Sequence, residues 1–104
     1  MARALDPTRP ITFVNEIRAQ PTTCQLADLV DVICLNRYYG WYQDPGDLVT
    51  AERRLEAELR LWASTHDKPL LITEYGADTI AGLHSVWGEP WTEEFQSALL
   101  DTYH

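Results

Sequence analysis

Polar and aromatic side chains follow three apolar segments, at the point where each predicted strand ends. Glu16 comes shortly after residues 11–14, Glu74 directly follows residues 70–73, and a run of aromatic residues follows residues 30–35. A carboxylate directly after a buried strand can act as a nucleophile, a general base or a metal ligand. Tyrosine hydroxyls beside it can donate hydrogen bonds that keep it ionised, and aromatic rings stack well on sugars. The strand ends therefore hold the candidates for carboxylate chemistry.

Alternating strands and helices must position these side chains. The nearly unbroken apolar run at 30–35 favours a parallel strand buried on both faces, and the two shorter apolar segments also predict strands. Apolar residues spaced by three or four positions from 48 to 62 predict a helix, with Asp47 as its N-cap and Asp67-Lys68-Pro69 ending it. A final helix is predicted to run from its cap, Thr92, to His104. The first five residues are typical of the last turn of another helix.

This order of elements predicts an α/β fold with a parallel sheet and right-handed crossovers, so that the carboxyl ends of the strands share one edge. A (β/α)8 barrel needs about 250 residues, and 104 residues supply roughly three of its βα units. The final helix reaches His104 without a Gly, Asn or Pro stop signal, as a segment of a longer domain would. We therefore interpret residues 1–104 as a fragment of one domain, a partial TIM barrel.

The residues alone leave three interpretations open. The strand-end carboxylates can be catalytic, or they can be ordinary loop carboxylates in a small, non-catalytic α/β binding module. Such a module would require Arg37, Tyr38 and Trp41 to form a pocket by themselves. The third interpretation is an interaction role, in which the partial sheet pairs with a partner that supplies further strands.

A resemblance to a known family favours the catalytic interpretation. Three motifs carry it: Leu-Asn-Arg-Tyr-Tyr-Gly-Trp-Tyr at 35–42, Thr-Glu-Tyr-Gly at 73–76 and Ala-Gly-Leu-His at 81–84. In this order they resemble the bacterial β-glucuronidases of glycoside hydrolase family 2, and the similarity extends over essentially the whole chain. The resemblance implies a catalytic TIM barrel, of which this chain would hold strands five, six and seven.

The resemblance also implies roles for four residues. Glu74 corresponds to the catalytic nucleophile, and Tyr38 to the tyrosine that donates a hydrogen bond to it. Asn36 and Tyr42 correspond to residues that line the sugar pocket. The implied reaction is retaining hydrolysis of a β-glucuronide, with a covalent glycosyl-enzyme intermediate and a second carboxyl group ~5–5.5 Å away as acid and base.

Glu16 does not fit the role of that second carboxyl group, although it belongs to an Asn-Glu pair at a strand end. Only one predicted strand separates it from Glu74, whereas the family carries its acid one strand earlier, which would lie before Met1. The Asn-Lys pair that binds the substrate carboxylate in the family would lie after His104. We therefore expect the isolated chain to be inactive on its own.

Composition and charge exclude some classes of binding partner and indicate a cellular location. The formal net charge of −8, with no basic cluster, argues against nucleic acid and against anionic membrane surfaces. No apolar run approaches the ~18 residues of a membrane span, and the first residues lack the apolar core of a signal peptide, so a cytoplasmic location is expected. The spacing of Cys24 and Cys34 predicts free thiols, and we expect no metal and no cofactor. Exposed sheet edges predict self-association.

Overall fold

A computed structural model describes residues 2–104 as a small parallel sheet with helices packed against it. The elements in chain order are helix α1 (Ala2–Leu5), strand β1 (Val14–Asn15), a short 3-10 helix (Ala27–Leu29), strand β2 (Ile33–Asn36), helix α2 (Leu48–Thr65), strand β3 (Leu70–Glu74) and helix α3 (Glu93–Tyr103). The α/β class expected from the sequence is confirmed, with three parallel strands and two long helices that follow β2 and β3.

The three strands lie in chain order, with β2 in the middle. Cys34 of β2 lies opposite Val14 of β1 and Leu71 of β3. The register changes between Leu35 and Asn36, so that Asn36 pairs with Glu74 and Thr73 is an extra residue on β3. Such an irregularity re-aims the side chains beside it.

The first strand is much shorter than the predicted strand at 11–14. Hydrogen bonds do connect residues 11–12 with residues 31–32, but side chains supply some of them. The Asp31 backbone N–H donates to the Ile11 carbonyl at 2.8 Å, while the Thr12 hydroxyl donates to the Val32 carbonyl at 2.6 Å. A hydroxyl therefore occupies a position that a ladder of backbone N–H groups would need, and regular pairing begins only at Val14.

The middle strand begins at Ile33 and not at 30, as the sequence predicted. The reason lies in the 3-10 helix just before it, whose last carbonyls need a donor. The Lys68 ammonium supplies it, at 2.6 Å from the Ala27 carbonyl and 2.7 Å from the Val30 carbonyl. The Val30 carbonyl therefore accepts a hydrogen bond from a side chain, and regular pairing with β3 begins at Ile33.

The two long helices begin where the sequence predicts. The Asp47 side chain accepts a hydrogen bond from the Thr50 N–H at the start of α2, and the Thr92 side chain accepts one from the Phe95 N–H at the start of α3. Helix α2 continues three residues beyond its last predicted apolar position, Trp62. Helix α3 ends at Tyr103, one residue before the predicted end.

The main core lies between the sheet and α2. Trp62 is fully buried and packs with Ile33, Leu35 and Ala27. The burial predicted for the middle strand is confirmed, since Ile33, Cys34 and Leu35 are all buried. Side chains of the outer strands remain open, with Val14 50% and Leu71 54% exposed. One face of the sheet is therefore packed, and part of the other presents apolar side chains to solvent.

Candidate active site

Glu74 and Asn36 lie side by side at the carboxyl ends of β3 and β2. The shifted register pairs these two residues, and the Asn36 amide nitrogen donates to Glu74 Oε2 at 2.9 Å. Asn36 is half-buried, whereas Glu74 is exposed. In βα folds this end of the sheet is where active sites form. The structure thus brings together two of the four residues selected from the sequence.

The backbone after Glu74 is anchored to helix α3. The ring of Tyr75 stacks on Tyr103, with ring centroids 5.0 Å apart and planes inclined by only 7°. The Tyr75 hydroxyl lies 2.7 Å from Nε2 of His104, and the Tyr103 hydroxyl donates to the Tyr39 carbonyl at 3.2 Å. Glu74 is therefore fixed on one side by the strand and on the other by an aromatic stack.

Tyr38 and Tyr42 lie in the loop that leaves β2. Their rings meet edge to face at 5.2 Å, because the backbone turns so that the Tyr38 carbonyl accepts the N–H groups of Trp41 and Tyr42. Tyr42 is 69% exposed. Within residues 2–104, the hydrogen bond to Glu74 comes from Asn36 and none comes from the Tyr38 hydroxyl, so the role predicted for Tyr38 stays a prediction.

Gly40 holds this aromatic loop close to both helices. Its backbone φ is +90°, in the left-handed region that side chains rarely adopt. A Cβ atom there would lie 3.0 Å from the Leu48 side chain and 3.3 Å from that of Leu99. The glycine in the Tyr-Tyr-Gly-Trp-Tyr motif is thus required by backbone conformation and by close approach.

Arg37 lies beneath the site and does not face a ligand. Its guanidinium is fully buried and forms a salt bridge with Glu58 of α2, with Nη2 to Oε1 at 2.6 Å and Nε to Oε2 at 2.9 Å. The remaining nitrogen, Nη1, donates to the carbonyls of Asn15, Glu16 and Asn36 at 3.1, 3.1 and 2.8 Å. The binding-module interpretation required Arg37 to line a pocket, and the burial of its side chain contradicts that requirement.

Sequence analysis did not identify Glu58 as the partner of Arg37. Glu58 is only 9% exposed, and it also accepts hydrogen bonds from the Tyr39 hydroxyl at 2.9 Å and the Trp62 indole at 3.0 Å. Burial by itself raises the pKa of Glu58, but the hydrogen bonds from Arg37 and Trp62 outweigh it and lower the pKa. Burial and the bond to Glu58 raise the pKa of Tyr39 to about 12. A signal was available in retrospect, since Glu58 lies three residues after Leu55 and four before Trp62 on the apolar stripe of the helix.

Glu16 is placed as the sequence argument expected. It follows β1, which is separated from β3 by β2. Its side chain is exposed and pairs with Arg18 at 3.3 Å. The sheet order thus agrees with the strand counting by which Glu16 was set aside as the acid.

The long loop between β3 and α3 is tied to the first turn of the helix. Glu93 Oε1 accepts the Gly82 N–H at 2.7 Å, and Glu94 Oε2 accepts the Ser85 N–H at 3.1 Å. His84 Nδ1 donates to Glu94 Oε1 at 2.7 Å. His84, the last residue of the Ala-Gly-Leu-His motif, is therefore an anchor of this loop.

The His84 anchor is expected to weaken as pH rises. The hydrogen bond to Glu94, with the charges of Glu94 and Glu93, raises the pKa of His84 above 6.5. A raised pKa in the folded state means that the contact stabilises the loop fully below about pH 6.5 and is lost as pH rises through the folded pKa. NMR titration of the imidazole should give a midpoint above 6.5 in the protein. In Glu94→Gln the midpoint should fall.

A matched control separates this local effect from the overall charge. Glu52→Gln removes one negative charge from an exposed position on α2 and is expected to leave the His84 midpoint unchanged. An equal fall of the midpoint in both variants would show that net charge sets the pKa of His84. The explanation by the contact with Glu94 would then be wrong.

Two further properties concern residues 2–104 as the structure describes them. No group of three or more His, Cys, Asp or Glu side chains is arranged to hold a metal ion there. None of the helices in that range is both long enough and apolar enough to cross a membrane.

Comparison with known proteins gives a consistent result. Residues 1–104 match the family described as glycosyl hydrolases family 2, TIM barrel domain. The chain is 56% identical over 102 residues to the β-glucuronidase of Streptococcus agalactiae, covering 96% of this chain and 17% of that protein. The solved β-D-glucuronidase of Dictyoglomus thermophilum superposes with a TM-score of 0.91 at 44% identity, covering 97% of this chain and 17% of that one. The Ruminococcus gnavus β-glucuronidase in complex with uronic deoxynojirimycin gives a TM-score of 0.84 at 40% identity, covering 91% of this chain and 17% of that one.

Proposed function

Because this chain belongs to glycosyl hydrolase family 2, as a segment of its TIM barrel domain, we propose that it carries the catalytic nucleophile of a retaining β-glucuronidase. Glu74 is the nucleophile. The observation that carries the proposal is the pairing of Glu74 with Asn36 at the carboxyl ends of two parallel strands. The chain spans 17% of the length of the S. agalactiae relative, so the activity is proposed for the full-length protein that contains this segment.

The reaction proceeds by two displacements at the anomeric carbon. An oxygen of Glu74 attacks C1 and forms an ester bond as the bond from C1 to the leaving oxygen breaks. A carboxylic acid about 5–5.5 Å away protonates the leaving oxygen. The same group, now a carboxylate, then takes a proton from water, which attacks C1 and releases Glu74. We assign this second carboxyl group and the binding of the substrate carboxylate to other parts of the full-length protein.

Tyr38, Asn36 and Tyr42 complete the proposed site. Tyr38 donates a hydrogen bond to Glu74 in the substrate complex. Catalytic hydrogen bonds are often long or poorly aligned before substrate binds and tighten afterwards. Asn36 and Tyr42 line the sugar pocket. The exposed ring of Tyr42, resting on that of Tyr38, offers a flat apolar face of the kind that stacks on a pyranose.

A glucuronide is the proposed substrate. The relatives are named as β-glucuronidases, and the R. gnavus protein is described in complex with a uronic sugar mimic. The matches to the S. agalactiae and R. gnavus proteins cover 96% and 91% of this chain. We also propose a cytoplasmic location, in keeping with the two free cysteines.

Hydrolysis of paired chromogenic substrates tests the substrate assignment. The full-length protein is expected to release nitrophenol from the β-glucuronide and much less from the β-galactoside, which has the opposite configuration at C4 and a hydroxymethyl group in place of the C6 carboxylate. The isolated 104-residue chain should release it from neither, since proton transfer and the remaining walls of the pocket are missing. Faster turnover of the galactoside, or turnover by the isolated chain, would contradict the proposal.

The isolated chain is also expected to self-associate. Val14 and Leu71 lie half exposed on the open face of the sheet, and the outer strands have free edges that pair readily with other chains. Size-exclusion chromatography with light scattering should therefore show species larger than 11.9 kDa. Val14→Lys with Leu71→Lys should reduce them. A sharp monomer peak from the unmodified chain would contradict this expectation.

A further inference from the structure

We propose that Thr73 is a positioning residue, which acts through Asn36 to hold Oε2 of Glu74 and leaves Oε1 as the oxygen that attacks the substrate. The inference rests on the proposed function, in which Glu74 is the nucleophile. It assigns a role to a residue that does not touch the substrate and to which the resemblance assigned none.

A chain of two hydrogen bonds joins the three side chains. Thr73 Oγ1 lies 2.9 Å from Asn36 Oδ1, and Asn36 Nδ2 lies 2.9 Å from Glu74 Oε2. Which group donates in each of the two hydrogen bonds follows from the chemistry of the side chains. An ionised carboxylate can only accept, so the amide nitrogen must face Glu74 and the amide oxygen must face Thr73. That oxygen can only accept, so the Thr73 hydroxyl must donate.

Among residues 2–104, the Thr73 proton has one other acceptor within reach. The Leu35 carbonyl lies 3.4 Å from the hydroxyl, at the outer limit of a useful hydrogen bond. Since a hydroxyl has a single proton, the 2.9 Å contact to Asn36 takes it. The threonine therefore fixes which way the Asn36 amide points.

The register shift makes this arrangement possible. Successive side chains of a regular strand point to opposite faces, so Thr73 and Glu74 could not both reach one side chain on the neighbouring strand. The extra residue on β3 changes the pairing between Leu35 and Asn36. Both Thr73 and Glu74 then contact Asn36, and the irregularity lies at the candidate nucleophile itself.

Holding one carboxylate oxygen leaves the other for chemistry. Oε2 is bonded to Asn36, whereas within residues 2–104 Oε1 accepts no hydrogen bond. The Oε1 lone pair forms the bond to C1 as the bond to the leaving oxygen breaks, and the leaving oxygen takes its proton from the general acid. A carboxylate fixed in one plane loses less freedom on reaching the transition state than a free one.

The test compares Thr73→Val, which removes the hydroxyl at nearly constant shape, with Thr73→Ser, which keeps it. Both are made in the full-length protein. The readout is the rate of glycosyl-enzyme formation from a 2-fluoro glucuronide, a trapping reagent that stops at the intermediate. Thr73→Val is expected to be slower by about tenfold, the effect of one hydrogen bond, and Thr73→Ser should restore the rate. The control is Thr65→Val, which removes a hydroxyl bonded to the Leu61 carbonyl on α2.

A double mutant separates positioning from general loss of structure. Thr73 acts only through Asn36, so adding Thr73→Val to Asn36→Ala should lower the rate no further, whereas unrelated effects would multiply. If Thr73→Val lowers the melting temperature, Thr73→Ala repeats the test without the valine methyl groups.

The outcomes distinguish the two levels of the argument. If Glu74→Gln is inactive while Thr73→Val and Thr73→Ala react at the parent rate, the positioning role of Thr73 is wrong and the proposed function stands. If the losses from Thr73→Val and Asn36→Ala multiply, Thr73 does not act through Asn36. If Glu74→Gln keeps its activity, both the proposed function and the positioning role of Thr73 are wrong.

Discussion

Replacing Glu74 with glutamine in the full-length protein is expected to lower glucuronide hydrolysis by roughly 10⁴- to 10⁶-fold, the range that loss of a catalytic side chain costs other hydrolases. The substituted amide has nearly the shape of the carboxylate but no negative charge, so it cannot form the ester with C1. Glu74 is exposed and lies at a strand end. The change should therefore leave the melting temperature almost unaltered, so that loss of activity reports on chemistry alone.

Glu16→Gln is the matched control for this experiment. Glu16 is also an exposed carboxylate that follows a strand, and it belongs to the Asn-Glu pair that resembles the acid of the family. Strand counting sets it aside, and the order of the sheet agrees. Near-parent activity is expected for Glu16→Gln. An equal loss in both variants would contradict the assignment of Glu74 as the single catalytic carboxylate of this segment.

Azide provides a second, independent readout. Glu74→Ala opens space beside C1, where azide can attack in place of the missing carboxylate. With a substrate whose leaving group needs no protonation, azide should restore turnover and give the α-glucuronosyl azide, because the attack comes from the face opposite the leaving group. Rescue that gives the β-azide would mean that a different carboxylate is the nucleophile.

The parts of this site that depend on local signals could be predicted from the sequence. Asp47 and Thr92 are capping residues followed by apolar stripes, and both helices begin where these signals place them. Glu74 and Asn36 follow apolar runs, and a parallel arrangement brings the ends of neighbouring strands together. Their closeness follows from those two facts, whereas their direct pairing also requires the register shift.

The parts that depend on contacts distant in the sequence could not be predicted. The segment just before β2 is held by Lys68, which lies 38 residues beyond Val30. Thr73 reads as an ordinary strand residue, and only the register shift places its hydroxyl on Asn36. Arg37 lies within an aromatic motif and reads as a ligand-binding residue. Its burial depends on a glutamate 21 residues away.

Breaking the Arg37–Glu58 pair is expected to destabilise the fold by about 3–5 kcal/mol, since removing one partner leaves the other charge buried and unpaired. The pair joins three elements. Glu58 belongs to α2, and Arg37 donates to the carbonyls of Asn15 and Asn36 at the ends of β1 and β2. Glu58→Leu or Arg37→Met in the full-length protein should therefore loosen α2 and the end of the sheet together. Native-state hydrogen exchange of the α2 amides measures the free energy of that opening.

The double variant Arg37→Met with Glu58→Leu separates the cost of an orphaned charge from the value of the pair itself. With both charges gone, an apolar core of similar volume replaces the pair, and the α2 amides should be better protected than in either single variant. The control is Glu56→Gln, two residues before Glu58 and part of the exposed Glu56–Arg60 pair, which should leave exchange unchanged because exposed pairs contribute little. If the two single losses simply add in the double variant, the ion pair is not what joins the strands to the helix. Because Arg37 also holds the Asn36 carbonyl, partial recovery of stability in the double variant without recovery of activity would show that the pair positions the site as well as stabilising it.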